Sequence, residues 1–321
     1  MALALFDSKK SCARSDSMPN YNIGAFIKYR RIELKVSQSE LSRGICNVGT
    51  LSRIENGEHL PRNEILEQLL QRLGYFGNVF DGLLTEEDFK AAETVQRAKN
   101  LTSFGKVKEA KALVDGLNIS SEGLRRQDRQ FCDRLETVHL RSIGAITNEQ
   151  ALERFIGILE RSSGSFDIKE LPTVLSSEEM CLLNNIAICY ANTGKTETAI
   201  KILYHMKRIC EGNIVDYYES MKSLPGILYN LSKCLGQSGR FDESIAICEY
   251  SIEMLTRTGW LRVLPQTMYT LGVSLVKRGK AEDAERARKI LDDAYQLSLI
   301  LSGESKRTNR IRKFISENFT E

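Results

Sequence analysis

One pattern recurs along most of this chain and limits what it can become. The stretches SFGKVKEAKAL, NTGKTETAIKI, QSGRFDESIAI and KRGKAEDAERA each carry a turn glycine: Gly105, Gly194, Gly239 and Gly279. A small residue follows each glycine by five positions (Ala110, Ala199, Ser244, Ala284) and another precedes it by seven (Ala98, Ala187, Ser232, Gly272). Two antiparallel helices approach closely only where their facing side chains are small, and a glycine between them makes the turn. ITNEQALERFIGIL resembles the second helix of the others and adds a copy at Gly144 to Ala151, with a longer turn. Aligned on Ala110, Ala151, Ala199, Ser244 and Ala284, the steps are 41, 48, 45 and 40 residues. The chain is therefore expected to be a stack of helical pairs, each able to bury its apolar faces only against its neighbours.

Composition agrees with an all-α chain. Strand-like alternation is scarce, only five prolines occur, and 42% of the 321 residues are apolar. Basic and acidic residues nearly balance, 45 against 42, so net charge names no partner. No run approaches the ~18 apolar residues of a membrane span. MALALFDSKK places its charges after its apolar run, unlike a signal peptide. Residues 1–20 show no helical period and are expected to be a disordered leader. Met1 to Ser17 reads as a tail or an unused upstream start before Met18, with a minor-groove arm built on Lys9, Lys10 and Arg14 as the other reading. The eight cysteines form no Cys-x-x-Cys pair and read as reduced, small hydrophobes of a cytoplasmic protein.

Residues 21–75 form a separate head of four short helices. The first, from about Ile23 to Leu34, is expected to turn Ile23, Phe26, Ile27 and Leu34 inward. The second begins at Ser37, where Ser37-Gln38-Ser39-Glu40 reads as a capping box, with Leu41 and Ile45 inward. Asn47 caps the third; Leu51 and Ile54 hold it down, and Gly57 ends it. The fourth runs from near Pro61 to Leu73, burying Ile65, Leu66, Leu69, Leu70 and Leu73, and Gly74 stops it. Two short helices with a tight link, the second capped, are the skeleton of a DNA-reading helix-turn-helix. That geometry leaves Val48, Gly49, Thr50, Ser52 and Arg53 outward, short or polar as close approach to bases and phosphates requires. The head holds eight Lys/Arg against six Asp/Glu, mild enough that useful affinity calls for a homodimer.

The run from IGAFIKYRR to LPRNEIL resembles the lambda-repressor/Cro-like (XRE) helix-turn-helix family, carried by Ser37-Gln38, Leu41, Leu51-Ser52-Arg53-Ile54-Glu55-Asn56-Gly57 and Pro61. The resemblance implies that Gln38 caps the reading region against phosphate and base, and that Val48, Gly49 and Ser52 face bases, with Asn47, Thr50 and Arg53 beside them. Val48 and Gly49 stand where longer polar residues are common, which shifts the expected readout toward DNA shape.

The repeats, 93–303 after a linker over 76–92, follow the pattern of a tetratricopeptide-like (TPR-like) α-solenoid with longer helices. Residues 304–321 fit a closing helix, whose Lys306, Arg307, Arg310, Arg312 and Lys313 read as a solvated cap. Head and repeats together resemble the RRNPP peptide-sensing regulators of Gram-positive bacteria, PlcR type, through GICNVGTLSRIENG, the NTG turn after NNIAICYA, and LYNLSKCLGQSGRFDESI. The resemblance implies a short signalling peptide clamped by inner-helix asparagines. The matching positions here are Asn184 and Asn192, then Tyr229, Asn230 and Lys233, then Gln266, Tyr269 and Thr270; an amide offers donor and acceptor to a peptide unit at once. Such a peptide would alter dimer geometry and so the fit to DNA. The other reading makes DNA binding constitutive, with the repeats serving dimerisation or partner docking. No phosphate-cradling Gly-x-x-x-x-Gly-Lys and no His-Glu-x-x-His occurs, and His59, His139 and His205 lie far apart. Neither catalysis, cofactor nor metal is expected.

Overall fold

Every element among the described residues is helical, as the scarcity of alternating runs led one to expect. The computed structural model describes residues 23–73, 86–117, 124, 126–212 and 217–319. The leader, Cys12, Gly74 and most of the expected linker lie outside the described residues. The head comprises α1 (Ile23–Glu33), α2 (Gln38–Ser42), α3 (Val48–Glu55) and α4 (Asn63–Arg72). Five pairs follow: α5 (Glu86–Ser103) with α6 (Val107–Asp115), α7 (Arg126–Ser142) with α8 (Asn148–Ser163), α9 (Ser177–Asn192) with α10 (Thr196–Glu211), α11 (Tyr217–Gln237) with α12 (Phe241–Thr258), and α13 (Leu264–Arg278) with α14 (Ala284–Ser302). The closing helix is α15 (Lys306–Asn318). Helix α5 opens inside the stretch expected as linker, because Ala91, Val95 and Ala98 already keep a buried helical stripe.

The glycine logic holds at the turns. Gly105, Gly144, Gly194, Gly239 and Gly279 all have φ between 74° and 81°, where a Cβ is disfavoured. Ala98, Ala110, Ala151, Ala187, Ala199, Ser232 and Ser244 are fully buried. Ser244 Oγ donates to the Ser232 carbonyl at 2.8 Å and lies 2.9 Å from Ser274 Oγ, so even the polar small residues are satisfied. A Cβ on Gly272 would enter the Leu291 side chain, so Leu291 of α14 rests directly on the α13 backbone. The last pair departs from the expected register. Ala284 is exposed and Ala287 takes the buried place. A 3-10 turn at Ala281–Asp283, tied by Asp283 to Arg278, delays α14 by one turn.

Successive first helices touch one another, α5 to α7, α7 to α9, α9 to α11 and α11 to α13. They form one inner layer, with the second helices outside it. The described cysteines are all free, and four of them are buried. Burial pushes the Cys132, Cys210 and Cys248 thiols up to about 12, which suits a packing role. No described helix is long and apolar enough to cross a membrane.

The head docks directly on the repeats. Arg72, at the end of α4, is 3% exposed. Its Nη1 donates to the Leu41 carbonyl at 3.1 Å and to that of Arg43. Its Nη2 donates to the Ser162 carbonyl at 3.4 Å and pairs with Glu179 Oε1 at 2.9 Å. Glu179 belongs to the capping box of α9, and its Oε2 accepts from the Ser176 amide at 2.8 Å. Arg126 reinforces the seam through Gln68 and the Gly44 and Arg161 carbonyls. Val174 is buried in the head's own core.

Candidate functional site

In the head, Ile27, Val36, Leu41, Leu51, Ile54, Leu66, Leu69, Leu70 and Leu73 close one core. Phe26, expected inside, is 38% exposed. Helix α1 is rotated so that Gly24 and Ile27 face in, which aims Arg31 at α3. Arg31 makes a two-pronged pair with the buried Glu55, 2.6 and 2.8 Å, while Nη1 donates to the Val36 carbonyl. Gln38 Nε2 donates to the same Glu55 at 2.7 Å. Burial pushes the Glu55 carboxyl up, but the hydrogen bonds from Arg31 and Gln38 and the Arg31 charge outweigh it and hold it below the ordinary glutamate value. The expected capping box at α2 is half formed. Ser37 Oγ accepts from the Glu40 amide at 3.1 Å. The Glu40 carboxylate, however, accepts from the amide and hydroxyl of Thr173, because the docked repeats offer it donors.

Helix α3 presents the expected face. Asn47 Oδ1 accepts from the Thr50 amide at 2.7 Å, and Leu51 and Ile54 are buried beneath. Val48 is 43% exposed; Gly49 and Arg53 are exposed, and Thr50 and Ser52 half-buried. Arg53 has no hydrogen-bond or ion-pair partner among the described residues, unlike Arg31 and Arg72. Gln38 is placed beside this face but held by Glu55. Sequence reasoning missed Glu55 and Arg72 as organisers. Their signal was phase: Glu55 follows Leu51 by four positions, and Arg72 follows Leu69 by three, which puts both on buried faces.

In the repeats, the expected contact residues divide. Asn230 Nδ2 donates to Asn184 Oδ1 at 3.0 Å, joining α11 to α9 across the inner layer. Tyr229, Lys233, Gln266, Tyr269 and Thr270 are half-buried on α11 and α13. Gln266 Oε1 is buried without a hydrogen-bond partner. Thr270 spends its hydroxyl on the Gln266 carbonyl at 2.9 Å. Asn192 lies apart from this group, exposed and bonded to Asn148 at the start of α8.

Residues 27–75 match the helix-turn-helix family. Across nearly the whole chain, the fold is similar to two solved structures. PlcR of Bacillus thuringiensis, in complex with the peptide PapR7 and DNA, is 19% identical with a TM-score of 0.58, covering 94% of this chain and 99% of that one. The apo form of the competence regulator ComR from Streptococcus vestibularis is 17% identical with a TM-score of 0.53, covering 94% and 99%. A 93-residue stretch is 28% identical to Protein O-mannosyl-transferase TMTC2 of Mus musculus, 29% of this chain but only 11% of that protein. Residues 27–75 are thus a helix-turn-helix domain, set before TPR-like repeats in the fold shared by PlcR and ComR.

Proposed function

We propose that this protein is a cytoplasmic, non-enzymatic transcription regulator that binds DNA as a homodimer and senses a short peptide on its inner helices. The carrying observation is α3 itself: a capped helix pinned by Leu51 and Ile54, with Val48, Gly49, Ser52 and Arg53, which has no partner among the described residues, turned outward. PlcR of the same fold was captured with peptide and DNA, and ComR of Streptococcus vestibularis with its signalling peptide XIP at a TM-score of 0.50. Selection from a random duplex pool is expected to return an inverted repeat with half-sites ~34 Å apart or a multiple of that. Arg53→Ala should weaken binding to the selected duplex and lower its salt slope by about one per half-site. An unchanged footprint and slope would remove α3 from the interface.

The inner-layer amides support the peptide part. Asn184 and Asn230 already share a hydrogen bond, so a peptide unit can insert between them at little desolvation cost. The buried Gln266 oxygen is an acceptor awaiting a donor. Asn230→Ala is expected to abolish peptide-dependent change in DNA binding while leaving the thermal transition within a few degrees of the parent. DNA binding that no peptide alters would instead leave the repeats as a dimerisation or docking scaffold.

A further inference from the structure

The fold uses the two sides of the basic closing helix differently. Arg312 pairs with Glu304 at 3.5 Å and Lys313 with Glu317 at 3.6 Å. Arg307 and Arg310 have neither an ion pair nor a hydrogen bond among the described residues. Arg310 lies over the Tyr269 ring, 5.1 Å from its centroid. Tyr269 in turn meets Phe314 edge-on at 5.7 Å and 84°. All five cations of the cap are exposed, as expected, but Arg310 also rests over an aromatic ring. Helix α15 packs on α14 and reaches α13 through Phe314 and Arg310 at the Tyr269 ring.

A third cation joins them. Arg262 comes from the 3-10 turn Leu261–Val263 that leads into α13. Crowding by protein atoms and the like charge of Arg307 hold its guanidinium below the ordinary arginine value. Tyr229 of α11 lies within the field of Arg310 and Arg307, although burial still pushes its hydroxyl up. No carboxylate answers this charge from the facing helices: α13 and residues 223–237 of α11 contain no Asp or Glu. Single unpaired arginines on a surface are ordinary. Three that gather from α15 and the turn before α13, one of them over the Tyr269 ring, repel one another. Seated over the Tyr269 ring, Arg310 keeps its N–H donors free of any partner among the described residues.

We propose that Arg310 over Tyr269, with Arg307 and Arg262 beside it, forms an anion subsite at the α15 end of the inner groove, which takes a carboxylate of the bound peptide. That carboxylate is the peptide's C-terminus or an Asp or Glu side chain, and the planar guanidinium fork suits either. The subsite rests on the peptide-groove reading above. Gln266, one turn before Tyr269, supplies the neighbouring acceptor for a peptide N–H.

Affinity selection with mass-spectrometric readout tests this on the full chain. Four random heptapeptide pools are used: C-terminal acid or amide, each with or without Asp and Glu. The parent protein should enrich carboxylate-bearing pools about tenfold or more over the amide pool that lacks Asp and Glu. The better of the acid pools tells which carboxylate is taken. R307Q/R310Q should lose that enrichment while still retaining neutral peptides. R262Q, in an exposed turn, should shift it in the same direction, and circular dichroism checks that both variants fold. Equal retention of all pools by the parent, or unchanged enrichment in the variants, overturns the subsite and leaves the groove standing. Retention of no pool by the parent overturns the groove reading as well. Loss of nonspecific duplex binding in R307Q/R310Q with peptide selection unchanged would assign these arginines to nucleic acid and overturn the proposal.

Discussion

Arg72→Met is expected to cost about 3–5 kcal/mol, because it leaves Glu179 charged and buried without its partner. Both side chains of this pair are 3% exposed, and Arg72 also supplies donors to the Leu41, Arg43 and Ser162 carbonyls. The loss should appear in urea denaturation and as faster amide exchange in α2, α4 and the start of α9. R72M/E179M should be less destabilised than the sum of the single variants, since an apolar pair removes the stranded charge. A sum that is simply additive would show that the ion pair itself contributes nothing to docking. The same pair sets a pH dependence. Burial pushes the Glu179 carboxyl up, but the Arg72 charge and hydrogen bonds from Arg72, the Ser176 amide and Ser162 prevail and hold it below the ordinary glutamate value. A carboxyl depressed in the folded state contributes stability that is complete above its unfolded value of about 4.5 and is lost as pH falls through the folded value. The parent should therefore undock as acid is added below the ordinary glutamate range. E179Q, already weakened, should show a flatter acid limb.

Gly44→Ala is expected to separate the head from the repeats without unfolding either. Gly44 has φ +70°, and a Cβ there would fall inside the Ser162 carbonyl. That obstacle is backbone, so no side-chain rotation relieves it. Gly105 is the matched control: φ is +77° and nothing lies near its Cβ position. Gly105→Ala should cost only the local left-handed penalty, roughly 1–2 kcal/mol. Gly44→Ala should add the loss of the docked seam, seen as faster exchange at Arg126–Gln130 and Ser162–Ser163 while the α3 core stays protected. Equal behaviour of the two variants would mean that the seam at Gly44 opens freely. Because α3 and the inner layer are joined through this seam, G44A is also where peptide and DNA binding should become independent.

The sequence on its own determined whatever is settled within one or two helical turns. Glycines at positive φ end the helices where the spacing placed them, Asn47 and Ser37 cap where a short side chain precedes a periodic run, and Leu51 with Ile54 fixes which side of α3 is free. The outward face of α3, Arg53 included, was legible for that reason, as was the inner placement of Asn184 and Asn230 three and two residues before small contact residues. Tertiary structure decided what depends on partners far along the chain. Glu40 left its box for Thr173, 133 positions away. Arg72 found Glu179, 107 positions away. Arg310, still exposed, settled over the Tyr269 ring. Even the register of the last pair, where Ala287 replaced Ala284 at the contact, was set by how Asp283 met Arg278. Local spacing states which face a residue occupies. Which long, charged side chain meets which partner across that face is fixed only when the helices pack, because burial is what makes one pairing cost less than leaving the charge alone.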